Sequence, residues 1–195
     1  MTTDFANKKW LRSSDRTRNI ILAVIAAIVI VAGTTVAAKG AMAPPQKDVD
    51  ALAMFHGYSD SRELETLVFK ICIEDVAEQN GAPDAERFAR AALNSRHPRL
   101  ITGIGVAEKG RFDPLGSRGK RGEKGFSQIY EPVWGYVGNT IEEQVAKTDD
   151  VLDILLAESN GSEEVAIRRY NAGNSWRCKD AERYAAVVLE VARSL

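Results

Sequence analysis

The chain has 195 residues, 45% of them hydrophobic, and a net charge of -1; that is room for one domain of ordinary size with an appendage, and enough apolar surface for a core. The charge is uneven: residues 1 to 39 carry six Lys/Arg against two Asp/Glu and residues 40 to 195 carry twenty against twenty-five, so the two parts face different environments. The acidic larger part, whose basic loop lacks interleaved aromatics, argues against nucleic-acid binding, and two cysteines with two histidines (His56, His97) leave no metal-ligand spacing, so neither metal nor cofactor is expected.

The first element is the uncharged run NIILAVIAAIVIVAGTTVAA, residues 19 to 38, long enough for a transmembrane helix, which needs about 20 residues. Lys8, Lys9, Arg12, Arg16 and Arg18 precede it and Lys39 alone follows closely. The positive-inside rule therefore places residues 1 to 18 in the cytoplasm as a basic tail and the rest of the chain outside it, behind a single-pass anchor; in a Gram-negative envelope that is the inner membrane with the domain in the periplasm, and for a phage-encoded protein the virion membrane. A cleaved signal peptide competes, with Ala41-Met42-Ala43 as a small-x-small cleavage site, although Pro44 directly after it disfavours cleavage. Cys72 and Cys178 fall in the exported part, where a disulfide can persist; a disulfide and two separate thiols are both open.

Residues 39 to 58 read as a linker, with Pro44-Pro45 disfavouring helix, and the folded domain is expected over 59 to 195. Leu64, Leu67, Val68, Ile71, Cys72 and Val76 then recur at helical spacing, with Asp60 and Glu63 set as a capping box and Asn80-Gly81 as the stop. A second helix fits residues 82 to 95 with Phe88, Ala91 and Ala92 inward, and a third fits PRLITGIGVAE, residues 98 to 108. Residues 110 to 125 form a glycine-rich charged loop. Residues 140 to 158 carry a long amphipathic pattern with an expected break near Thr148, and two more helices fit 162 to 172 and 178 to 195. No strand alternation stands out, so the domain is expected to be mainly α.

Leu100, Ile101 and Ile104 face the core in the third helix, which brings Glu108 out at its C-terminus beside that core. The helix dipole disfavours a negative charge there by roughly 0.3 to 1 kcal/mol, and partial burial acts in the same direction. Both raise the carboxyl pKa, as a general acid requires; the plain alternative is a solvated surface Glu.

Glu108 is followed by Phe112-Asp113-Pro114, Ser117, Gly125-Phe126-Ser127-Gln128-Ile129 and Tyr170-Asn171-Ala172-Gly173. In that order these residues resemble the lytic transglycosylase (SLT-like) domain of the lysozyme superfamily, whose pattern runs from a helix-ending Glu-Ser through an aromatic and Asn-Pro, Ser-x-x-Gly and Gly-Leu-Met-Gln to Tyr-Asn-Ala-Gly. Tyr184 also resembles a tyrosine that commonly follows in that family. The sequence departs from the pattern at Lys109 in place of Ser, at an extra residue before Phe112, in a longer spacer between Ser117 and Gln128, and at Phe126-Ser127 in place of Leu-Met.

The resemblance implies a lysozyme-like helical domain that cleaves the β-1,4 bond between N-acetylmuramic acid and N-acetylglucosamine in peptidoglycan, forming a 1,6-anhydro end without water. It implies Glu108 as the single acid and base, Ser117 and Gln128 bonding the sugar or positioning the acid, Tyr170 over the acid, and Asn171 holding its turn. Glycan strands would be the partner, with the membrane held through the N-terminal helix, in a secretion system, a conjugation apparatus or a phage assembly. A hydrolase of the same fold, such as a lysozyme-type muramidase or phage endolysin, needs a second carboxylate; Asp113, Glu123 and Glu131 are the candidates, Asp113 being favoured as a turn residue. An inactive peptidoglycan-binding module is the third reading, motivated by Lys109 and the enlarged loop.

Overall fold

The computed structural model describes residues 61–108, 112–115, 119 and 121–195. The basic tail, the apolar run 19 to 38, the linker 39 to 58, His56, the domain start near Ser59 and the cap residue Asp60 lie outside the described residues. Among the described residues no helix is long and apolar enough to cross a membrane. The chain divides into two compact units, Met1–Cys72 and Ile73–Leu195; of the first, only the opening turns of one helix are described.

That helix, α1, spans Ser61–Gln79. It stops at Asn80-Gly81, as expected: Asn80 donates from its side chain to Val76 O at 2.8 Å, and Gly81 takes φ 83°. Helix α2, Ala85–Leu93, starts on Asp84, whose carboxylate accepts from Arg87 N, and buries Phe88, Ala89, Ala91 and Ala92. Helix α3, Pro98–Ala107, begins with proline in its first turn, where no N–H is needed.

Leu100 to Gly105 are all buried, so α3 is covered on every side, as its almost wholly apolar sequence requires. Two glycines make that position sterically feasible. A Cβ on Gly103 would lie 2.5 Å from Val188 O, and one on Gly105 would lie 2.2 Å from the Phe112 ring. Phe112 in turn packs with Phe88 and Phe126, at centroid distances of 4.5 Å and 6.1 Å.

After the loop come a short helix α4, Glu131–Trp134, which the sequence pattern did not suggest, and α5, Ile141–Glu158. Thr140 and Glu143 form a full capping box at the start of α5. The break expected near Thr148 does not occur. Thr148 is fully buried and its hydroxyl donates to Gln144 O at 2.7 Å within the helix, which satisfies it without interrupting the backbone.

Helices α6, Glu163–Ala172, and α7, Lys179–Ser194, complete the unit, joined by a single 3-10 turn at Gly173–Ser175. α3 packs on α7, α7 on α6, α6 on α5 and α5 on α2. The segment before α3 is fastened to α5 by buried Asp149, whose carboxylate accepts from the backbone N of Arg96 and His97 and from Arg96 Nε. Arg96 also pairs with Asp150 and Asp153. The described fold is mainly helical, as expected; among the described residues the only β pairing is an isolated antiparallel bridge between Lys124 and Ile129.

Cys178 carries a free thiol. Cys178 serves locally as the N-cap of α7, its exposed Sγ accepting from Ala181 N at 3.4 Å.

Candidate active site

Glu108 is the C-cap residue of α3, its N–H returned to Ile104 O at 2.9 Å. Its carboxyl is half-buried, and burial raises its pKa from 4.5 to about 7. Two neighbours adjust that value in opposite directions. Tyr184 Oη donates to Glu108 Oε1 at 2.7 Å and favours the ionised form, whereas the negative charge of Glu123 disfavours it.

The meeting of Glu108 with Tyr184 follows from the close helix crossing. Gly103 of α3 touches Val188 of α7, and five residues further along α3 Glu108 meets a residue four positions earlier on α7. The two helices therefore run antiparallel, and the glycine contact sets how near the phenol comes to the carboxyl. Tyr184 is half-buried, and its pKa is raised, first by burial and then by the charges of Glu108 and Tyr170. It remains a neutral donor.

Tyr170, on the last turn of α6, was expected over the acid. Its hydroxyl donates to Ser127 O at 2.7 Å, and its own pKa is raised first by burial and then by the charge of Glu108. Tyr170 thus ties α6 to the 125–129 turn within electrostatic reach of the acid. On the same turn, buried Ser127 places its hydroxyl 2.9 Å from Thr148 Oγ1 on α5.

Gln128 sits in the left-handed region at φ 50°, unusual for a residue with a side chain. Its Nε2 donates to Gly125 O at 2.7 Å, folding the amide back onto its own turn. The amide oxygen approaches Glu123: a Cβ on Gly119 would meet Glu123 Oε2 at 2.2 Å and Gln128 Oε1 at 2.7 Å. The two oxygens lie together over the Gly119 backbone.

Ser117 lies outside the described residues. Asn171 does not hold its turn. It is exposed, makes no side-chain hydrogen bond among the described residues, and the end of α6 is closed instead by Gly173 N donating to Arg169 O, with Gly173 at φ 52°. Asp113 accepts from Leu115 N at 2.8 Å, the turn role expected of it. Glu131 pairs with Lys124 at 2.8 Å and accepts from Val137 N at 3.2 Å. Of the three candidate second carboxylates, Glu123 alone is found to act on Glu108.

The residue that sequence reading passed over is Gln144. It is fully buried, accepts from Phe126 N at 3.1 Å, and donates to Pro114 O at 2.8 Å and to Gly138 O at 3.3 Å, so one α5 side chain gathers three loop segments. Its signal was available: Gln144 and Thr148 lie on the apolar stripe of Ile141, Val145, Leu152 and Leu155, where a polar residue calls for an internal partner. Among the described residues no group of three or more His, Cys, Asp or Glu could hold a metal ion.

The arrangement supplies a carboxyl that still holds its proton in about half of the molecules at neutral pH, and a phenol that stabilises the carboxylate once the proton leaves. No family model, curated protein or solved structure matches the chain.

The Tyr184 contact can be tested by Tyr184→Phe. Losing the phenol donor removes the interaction that favours ionised Glu108, so the carboxyl should titrate at higher pH, and any reaction needing its proton should keep going to higher pH while its maximum rate drops. A charge-assisted hydrogen bond is worth about 1.5 to 3 kcal/mol, which corresponds to a drop of roughly 10- to 100-fold. Carbon-13 NMR titration of glutamate carboxyls reads the first effect without a substrate.

Proposed function

We propose that this protein is a peptidoglycan lytic transglycosylase with a lysozyme-like helical domain, held at the inner membrane by residues 19 to 38 with its domain on the periplasmic side. The observation that carries the reading is the half-buried carboxyl of Glu108, at a helix C-terminus, with a pKa of about 7 and a single phenol donor. Its support in the sequence is the ordered set of motifs from Glu108 to Gly173.

The chemistry follows from one group used twice. Protonated Glu108 gives its proton to the glycosidic oxygen as the bond to the muramic acid C1 breaks, the electron pair leaving with that oxygen. The resulting carboxylate, held by Tyr184, takes the proton of the muramic acid C6 hydroxyl as O6 closes on C1. Water is neither consumed nor formed, and Glu108 ends protonated. Gln128 from the 125–129 turn and Tyr170 from the end of α6 shape the sugar's surroundings. An acid that must begin protonated makes kcat/KM fall about tenfold per pH unit above its pKa, here above about 7.

Local opening of the cell wall is the role that suits an anchored form, for a secretion or conjugation apparatus or a phage. The test is to incubate the full-length protein in detergent with purified peptidoglycan and identify released muropeptides by mass spectrometry. Anhydro-ended products are expected. Reducing-ended products would replace the reading with a muramidase that activates water, and absence of any product from folded protein would replace it with a binding module.

A further inference from the structure

The corner between α6 and α7, residues 171 to 180, directly follows Tyr170, whose hydroxyl is bonded to Ser127 O of the 125–129 turn. The corner is exposed except for Ala172 and Trp176, which are half-buried. Its charges are unevenly matched. Glu158 pairs with Arg169 at 2.9 Å, Glu164 and Glu182 pair with Arg168, and Asp180 pairs with Arg183 at 3.5 Å. These carboxylates are committed to other arginines. Arg177 has no ion pair and no side-chain hydrogen bond among the described residues, and the acidic residues outside them all precede Ser61.

What Arg177 does have is a ring to rest on. Its guanidinium carbon lies 4.3 Å from the centroid of Trp176, and that of Arg169 lies 5.8 Å from the same centroid. Arg169 is itself tied to Glu158 of α5, so the indole is packed from a fixed point. The negative face of the ring attracts the guanidinium and restricts its long side chain. The N–H donors lie in the plane of the group, so stacking leaves them available. An ordinary exposed arginine loses rotamer freedom when it binds a ligand; Arg177 has lost much of it beforehand. Asn171 and Asn174 also expose side chains that make no hydrogen bond among the described residues.

A planar, pre-placed cation with free donors matches a carboxylate, whose two oxygens accept from the guanidinium fork together. It matches a neutral sugar ring poorly, because the guanidinium already covers the aromatic surface on which a sugar would stack. We propose that Arg177, held on Trp176, binds a carboxylate of the short acidic peptide that substitutes muramic acid in peptidoglycan, so that the protein favours strands that carry their peptides over bare ones. The proposal rests on the glycan-cleaving reading above, which supplies a substrate with such a peptide. Arg177 makes and breaks no bond in this role. The peptide does not react, so its contact belongs to binding and is felt in KM more than in kcat.

Full-length protein in detergent is given two substrates: purified glycan strands with their peptides, and the same strands after an amidase has removed them. The quantity read is the ratio of kcat/KM on the first to that on the second. Wild type is expected to favour the peptide-bearing strands by roughly tenfold or more, the effect of one charge-assisted hydrogen bond. Arg177→Gln should bring the ratio close to one, and Arg177→Lys, which keeps the charge without the planar fork, should fall between. A wild-type ratio near one would overturn the proposal. So would an Arg177→Gln protein that keeps the wild-type ratio, even if both its rates fell, since that marks a structural role.

A second readout needs no cleavage. The Trp176 indole N–H signal, assigned with Trp176→Phe, is followed by NMR as the amidase-released peptide is added, and separately as inorganic phosphate is added. A saturable shift with the peptide is expected, absent in Arg177→Gln and much weaker with phosphate. An equal response to phosphate would replace the proposal with a general anion site, which a lipid headgroup could also fill. If wild type releases no muropeptide from either substrate, the glycan-cleaving reading fails, and the indole titration still decides whether Arg177 binds the peptide.

Discussion

Replacing Glu108 by Gln is expected to abolish glycan cleavage while making the protein more stable, and the second effect should emerge only above acid pH. The catalytic loss should be roughly 10²- to 10⁴-fold or greater, the usual contribution of a positioned acid. The stability gain follows from linkage. The carboxyl has its ordinary pKa of 4.5 in the unfolded chain and a pKa of about 7 in the folded one. Below pH 4.5 both states hold the proton and Glu108 costs nothing. Between 4.5 and 7 the unfolded state releases its proton while the folded state keeps it, so stability declines as pH rises. Above 7 the folded state is ionised too, and the whole penalty remains, about 3 kcal/mol, because each tenfold change in proton affinity corresponds to about 1.4 kcal/mol.

Glutamine carries no such penalty and can still accept from Tyr184. Denaturant unfolding of wild type and Glu108→Gln in detergent, followed by tryptophan fluorescence, should therefore give matching stabilities near pH 4 and a variant more stable by about 3 kcal/mol near pH 8. A difference of this sign is the signature of a residue kept for chemistry at a cost to the fold. Equal stabilities at both values would mean an ionised, solvated carboxyl, and Glu108 would lose its claim to be the acid.

Much of the helical frame is legible in the sequence because its signals are local. Asn80-Gly81 stops α1, Pro98 starts α3, and Thr140 with Glu143 starts α5, each where the pattern puts it. The position of Glu108 beside the core is legible for the same reason, since it needs only the phase of one helix. What is harder to read is which partner a side chain takes, and above all whatever depends on two segments meeting. Tyr184 stands out as a tyrosine of its helix, but its bond to Glu108 is set by the approach of Gly103 to Val188, 85 positions apart in sequence. The interpretation of Thr148 as a helix breaker fails because a polar β-branched residue reads as a disruption unless its partner is known, and here the partner is Gln144 O one turn away. Asn171 was expected to hold the α6 end, which Gly173 closes through its backbone and its left-handed φ. Glu123 is one of three candidate carboxylates, and no spacing in the sequence separates it from Asp113 and Glu131.

Gln144→Leu should be among the most damaging single changes in the domain, although it puts an apolar residue of similar size at a fully buried site. The reason is that leucine satisfies the apolar stripe of α5 and none of the three backbone groups that converge there. Phe126 N loses its acceptor, and Pro114 O and Gly138 O lose a donor. A buried backbone group left without a partner costs about 1 to 3 kcal/mol, so a loss of about 3 to 5 kcal/mol is expected, a large share of the roughly 5 to 15 kcal/mol typical of a whole domain. The turn is built against this one amide, since a Cβ on Gly125 would lie 2.0 Å from Gln144 Oε1. The companion variant Gln144→Glu separates hydrogen bonding from packing. Its carboxylate can still accept from Phe126 N but donates nothing, and burial raises its pKa, so in its protonated form it regains one donor. Thermal unfolding should accordingly find Gln144→Leu destabilised by a similar amount at pH 5 and pH 8, whereas Gln144→Glu should recover stability at pH 5. The reverse order, or a Gln144→Leu protein as stable as wild type, would mean that the loop is held by its phenylalanine cluster alone and that the site around Glu108 does not depend on α5 for its shape.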